Sequence, residues 1–131
     1  MFVDASALVA ILAREQGWHE LASKLTQARS VSISPLSIWE AARALHRSYE
    51  MPLETAEQIV REFVLDNDAT IIAITDEIGR EALRASRLFG KGRHAAALNM
   101  GDCFAYACAK GLDIPLLAKG DDFPQTDIVL A

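Results

Sequence analysis

Little in this sequence points to cross-linking or to a zinc site. Its only two cysteines, Cys103 and Cys108, lie five residues apart in the helical-looking segment GDCFAYACAK. Their side chains leave such a helix in different directions and do not reach each other, so buried free thiols are expected. The three histidines, His19, His46 and His94, are scattered, with none near the cysteines, whereas structural zinc needs ligands at short characteristic spacings. No long apolar run is present either. The opening MFVDASALVAIL meets an acid at Asp4 and a base at Arg14, too short and too interrupted to cross a bilayer. It also lacks the basic start and cleavage site of a secretory signal, so a soluble, cytoplasmic protein is expected. An excess of positive charge is missing as well. The formal net charge of -5 argues against a protein that coats nucleic acid without specificity. That argument is blunted where bases concentrate locally, as in KGRH at residues 91–94, and where a carboxylate pocket itself lowers the net charge.

What is present suits one domain over residues 1–131, because 51% hydrophobic residues are ample for a single core at this length. Short aliphatic or β-branched runs at residues 1–3, 31–34, 70–74 and 115–118, and a weaker one at 128–130, read as strands. Between them, residues 6–13, 18–28, 35–49, 53–65, 76–89 and 99–110 read as helices. In the third of these, Ile38, Ala42, Leu45 and Tyr49 form an apolar stripe at helical spacing, with Ser34 as N-cap and Pro35 at the first helical position. Strands separated by helices rather than hairpins specify a parallel sheet. The fold class is therefore α/β, with a central parallel sheet of four to five strands and helices on both faces. No repeat or low-complexity tract interrupts it, and the longest segment of undefined structure is residues 90–99.

In an open parallel sheet the functional crevice lies outside the carboxyl ends of the strands, which directs attention to the acids that follow each strand. Asp4 ends the first strand, Asp121 and Asp122 follow the run at 115–118, Glu40 lies in the early turns of the third helix, and Asp102 begins the last one. Each has an ordinary explanation of its own. Asp4 suits an N-cap; Glu40 suits a capping box with Ser37 or a pair with Arg43; Asp121 and Asp122 suit a polar turn. Asp102 suits a helix start shared with Asn99, although its helix is apolar or small on nearly every side and a buried carboxylate needs a partner. The joint placement carries more weight than any single residue. Carboxylates gathered without a cation repel one another, and such a cluster is stable chiefly around a hard metal. Magnesium, with manganese as a substitute, fits oxygen ligands, and a metal held there can activate water and neutralise the oxygen leaving a phosphodiester.

Ser6 is placed to orient an acid or a water, or simply serves the helix start. Lys91, Arg93 and His94 are candidates for contacts to backbone phosphates of a substrate, or form a solvated loop. Trp18 and Trp39 read as packing or interface anchors, since neither sits in a basic, aromatic-rich stretch.

Four segments resemble the PIN-domain ribonucleases and, within them, the VapC toxins of bacterial toxin and antitoxin pairs: VDASALVAIL with Asp4 and Ser6, SPLSIWEAARAL with Glu40, GKGRHAAALNMGDCFAYACAK with Asn99 and Asp102, and PLLAKGDDFPQTDI with Asp121. The resemblance spans essentially the whole chain. It implies a magnesium-dependent endoribonuclease, with tRNA or rRNA among its candidate substrates. Asp4, Glu40, Asp102 and Asp121 would form the pocket, with Asp4 and Asp102 as metal ligands, Glu40 and Asp121 as further candidates, and Ser6 and Asn99 in support. Asp122 competes with Asp121 for the fourth place. The resemblance also implies a homodimer and a VapB-type antitoxin.

Three rivals stand beside it. One is a phosphoacceptor receiver domain, to which Lys119 invites comparison but in which Asp4 lacks the paired acids expected. Another is a metal-independent ribonuclease using His94 and a second histidine. The last is an inactive binding module in which the acids are only caps.

Overall fold

The backbone of β1 (Phe2–Val3) is buried on both sides, and its two side chains divide the molecule. A computed structural model describes residues 1–131. After β1 come α1 (Ala5–Leu12), α2 (Trp18–Thr26), β2 (Ser32–Ile33), α3 (Pro35–Ser48), α4 (Leu53–Asp66), β3 (Thr70–Ile71), α5 (Asp76–Phe89), α6 (Met100–Leu112) and β4 (Leu116–Leu117), with a short 3₁₀ turn at Phe123–Gln125. All the strand pairs are parallel, in the order β3-β2-β1-β4.

Side chains alternate across a strand, and the register pairs Phe2 with Leu116 and Val3 with Leu117. Phe2 and Leu116 therefore point into a core built with α5 and α6. Val3 and Leu117, with Ile33, point into a second core built with α1 to α4. The expected α/β fold with helices on both faces is what forms. The sheet order excludes a receiver domain, in which the first strand lies between the second and third; here β1 lies between β2 and β4.

The strands are shorter than the aliphatic runs suggest. In the run at 70–74 the Ile72 amide still donates to Ile33 O at 2.9 Å, but the chain then turns so that Thr75 can cap α5. The run at 128–130 adds a single bridge, Leu116 to Leu130, and the sheet has four strands. In α3 the apolar stripe is buried at Ile38, Ala42 and Leu45, whereas Tyr49 lies beyond the last turn, exposed, with its hydroxyl on Glu15. Its place at the C-cap takes it off the packed face. Cys103 and Cys108 are buried and unpaired, as expected. No helix is long and apolar enough to cross a membrane.

Candidate active site

Asp4 follows the central strand directly. Its side chain is only 3% exposed and caps α1, with Oδ2 accepting from the Ser6 amide at 2.9 Å and from the Ser6 hydroxyl. A carboxylate only accepts, so the Ser6 proton is committed to Asp4. The Ser6 oxygen then accepts the Lys119 amide at 3.0 Å, which ties the exit of β4 to the start of α1.

Asp102 and Asn99 form a reciprocal capping box at the start of α6. Asp102 Oδ2 accepts from the Asn99 amide at 2.8 Å, and Asn99 Oδ1 accepts from the Asp102 amide at 3.0 Å. The ordinary explanation for both aspartates, helix capping, is thus realised. In each the cap engages Oδ2, so Oδ1 remains the oxygen with lone pairs to offer. Capping and site chemistry coexist in the same side chains.

Glu40 projects from the second turn of α3, which Ser34 caps by accepting from the Ser37 amide. It forms neither a capping box with Ser37 nor an ion pair with Arg43. Its carboxylate lies against Gly101 on α6, where an added Cβ would overlap both oxygens.

Asp4, Glu40 and Asp102 line one open cavity of about 700 Å³, together with Ser6, Asn99, Glu15, Trp39, Arg43, Arg47 and Lys119 among others. The three acids feel one another. Burial, then the charges of Asp4 and Asp102, push Glu40 up to about 7. Burial raises Asp4, offset in part by its Ser6 bonds. Asp102 is raised by burial and by Asp4 and Asp122, against the opposing pull of the Asn99 amide. No group of three or more His, Cys, Asp or Glu side chains is close enough to enclose a metal by itself. The donor set is nonetheless one of hard oxygens at carboxylates that repel, which suits a cation that keeps its own waters and needs only one or two protein ligands.

The other expected residues lie elsewhere. Asp121 is exposed and does not line the cavity; its carbonyl oxygen accepts from Gln125 Nε2. Of the two neighbours, Asp122 is the one whose charge reaches Asp102. Lys91, Arg93 and His94 are exposed on the loop between α5 and α6, outside the acid cavity. Lys91 lines a smaller groove that shares Asn99. None of the three histidines lines the acid cavity: His94 Nδ1 accepts the Ala96 amide, His46 Nδ1 bonds Met51 O, and His19 stacks on Trp18. The two-imidazole rival therefore lacks its pair.

Known proteins agree with this architecture. A family model described as the PIN domain matches residues 1–129. A VapC ribonuclease of Rhizobium meliloti is 40% identical, over 97% of this chain and 98% of its own. The chain belongs to the VapC ribonucleases of the PIN-domain family. Ribonuclease VapC36 of Mycobacterium tuberculosis is 37% identical, over 98% of this chain and 91% of its own. The crystal structure of VapC20 from the same organism, described as a sarcin-ricin loop cleaving toxin, matches with a TM-score of 0.77 at 17% identity. It covers 99% of this chain and 97% of that one, and the likeness is one of fold.

The protein is thus an enzyme of RNA hydrolysis, and in this VapC ribonuclease several cavity residues escape a reading by sequence. Arg43 and Arg47 follow Glu40 on α3 at helical spacing, on the face opposite the apolar stripe, and that spacing was the available signal. Trp39, expected as a packing or interface anchor, is 59% exposed at the cavity rim. Glu15 accepts from Lys119 Nζ at 2.6 Å and from the Tyr49 hydroxyl, a gathering of three distant segments with no local signature. Gly101 precedes Asp102 in the first turn of a helix, where glycine is a poor helix former; that oddity is the trace left by the Glu40 contact.

Proposed function

We propose that this VapC ribonuclease is a magnesium-dependent endoribonuclease, with manganese as a substitute, and the toxin of a toxin and antitoxin pair. The convergence of Asp4, Glu40 and Asp102 from three separate segments into one cavity carries the reading. Asp4 and Asp102 would hold the cation. When bound, the cation would lower the pKa of a water and offset charge building on the phosphodiester oxygens. Glu40, which faces the same cavity from α3, is assigned the proton of the attacking water. Ser6 holds Asp4 in one orientation, and Asn99 holds Asp102. Asp121 and Asp122, on the loop after β4, both lie outside the cavity lining; Asp122, whose charge reaches Asp102, is taken as the fourth acid.

The substrate is assigned as single-stranded or loop RNA within structured molecules such as tRNA or rRNA. VapC20, with the same fold, is described as cleaving the sarcin-ricin loop, which supports a search among ribosomal loops first. A VapB-type antitoxin, a homodimer and a cytoplasmic location complete the proposal.

The test is cleavage of total cellular RNA by purified protein with magnesium or EDTA, alongside Asp4→Asn and Asp102→Asn, with the product ends mapped. Metal-dependent products bearing 5′-phosphates, absent in both variants, are expected. Cleavage that survives EDTA and leaves cyclic phosphates would overturn the metal reading.

A further inference from the structure

Trp39, Arg43 and Arg47 stand four residues apart on α3, which puts them in one row along the helix surface. All three line the acid cavity. Six of the thirteen lysines and arginines, Lys24, Arg61, Arg80, Arg84, Lys110 and Lys119, are paired with carboxylates and seven are not. Arg43 and Arg47 make no ion pair, even though Glu40 is one turn from Arg43 on the same helix. Two guanidiniums are therefore left unneutralised beside a floor of repelling acids. The Arg43 guanidinium lies over the Trp39 ring, 6.0 Å from its centroid, which fixes a planar cation and an exposed indole together at the rim.

We infer that this row is the track that holds the RNA strand beside the cleavage point, with two phosphates on Arg43 and Arg47 and a base against Trp39. The inference rests on the acid floor as the cleavage centre. Along the α3 axis, at about 1.5 Å per residue, Arg43 and Arg47 lie roughly 4.5 and 10.5 Å beyond Glu40. That separation lets the two arginines meet successive phosphates on one side of the bond that is cut. Guanidinium forks suit phosphate oxygens, and an open indole stacks on any base. The row therefore fixes the path of the strand without reading its sequence.

The test measures binding of a fluorescein-labelled single-stranded RNA to the full chain carrying Asp102→Asn, across a range of salt concentrations. Arg43→Ala and Arg47→Ala, added singly, are each expected to reduce the slope of log affinity against log salt by about 0.7, the value for one phosphate contact on a single strand. Trp39→Ala is expected to weaken binding about 5- to 100-fold with its slope unchanged. Arg43→Lys should keep the slope and lose affinity, because the charge remains and the stacked plane does not. Arg80→Ala, on the outer face of α5, serves as a charge-matched control with an unchanged slope. Thermal melts of every variant separate misfolding from lost contacts.

Unchanged slopes in both arginine variants, with folding intact, would overturn the track. Retained RNA binding with loss of a co-expressed partner protein would overturn it in favour of a protein-docking row. Failure of the underlying reading shows separately: the Asp102→Asn chain would then still cut RNA at the parent rate.

Discussion

The carboxylate of Glu40 on α3 rests against the Cα of Gly101 on α6, so that the smallest possible side chain at 101 would occupy the place of both oxygens. This contact, made by a residue with no functional group, sets where the third acid of the cavity stands.

Gly101→Ala should therefore separate chemistry from stability. The atoms displaced are the far end of a flexible side chain, and alanine favours helix over glycine by up to about 1 kcal/mol, so the melting temperature should hold or rise. Cleavage should fall by as much as about 100-fold, the scale expected when a reacting group moves by about 1 Å. An active, well-folded Gly101→Ala enzyme would show that the position of Glu40 does not matter.

Asp4→Asn and Asp102→Asn are expected to fold. Asparagine retains the oxygen that caps α1 in the first case and that accepts the Asn99 amide in the second. Each removes a charge from the cavity and should lower kcat by about 100-fold or more, the scale of losing one placed electrostatic group. Circular dichroism and melting measured beside RNA cleavage check both halves of the expectation.

Ser6→Ala removes the bond from the hydroxyl to Asp4 and the acceptor for the Lys119 amide. The Ser6 bonds hold the Asp4 carboxyl down against burial, so their partial loss raises it further. The acid limb of the pH and rate profile should move to higher pH, with a stability cost of about 1 kcal/mol. Ser6→Thr should restore the limb; a profile unmoved in Ser6→Ala would assign the serine to helix capping alone.

The raised acids also set how stability depends on pH. Glu40 stands at about 7 against an ordinary value of 4.5, so in this window the folded chain binds more protons than the unfolded one. Its contribution is complete below about 4.5 and is lost as pH rises through about 7. In EDTA the melting temperature should decline across that range, and Glu40→Gln should flatten the decline. Magnesium should reverse most of it and release protons on binding. Calorimetric titration in two buffers of different ionisation enthalpy measures that release, and a melting temperature that climbs with pH in EDTA would contradict the reading.

How much of this was legible in the chain differs from residue to residue. The six helices could be read because their signals are local: Ser34 with Pro35, the stripe of Ile38, Ala42 and Leu45, and Asn99 before Asp102. The acids could be found because a parallel sheet directs its strand ends to one edge: Asp4 stands just beyond β1, Glu40 in the second turn of the helix after β2, and Asp102 in the first turn of the helix that leads into β4. Strand lengths were not legible, since aliphatic residues such as Ile114 and Ile128 also pack against the core outside the strands. The basic wall was missed because KGRH is conspicuous as a run, while Arg43 and Arg47 become neighbours only when α3 is wound. Glu15, Lys119 and Tyr49 meet through tertiary structure alone, and no local pattern announces them.

The pairing of Phe2 and Val3 with Leu116 and Leu117 has a meaning for how the enzyme is made. A ribosome delivers Asp4 first, and β1 must wait for more than a hundred residues before its second neighbour emerges. Contacts so distant in sequence form late, after the loop between them has been closed. Until Leu117 and Lys119 have left the exit tunnel, Asp102 has no completed sheet edge to face and Ser6 has no Lys119 amide to hold. The site thus takes its full form only when β4 has paired beside β1 and the Lys119 amide has reached Ser6.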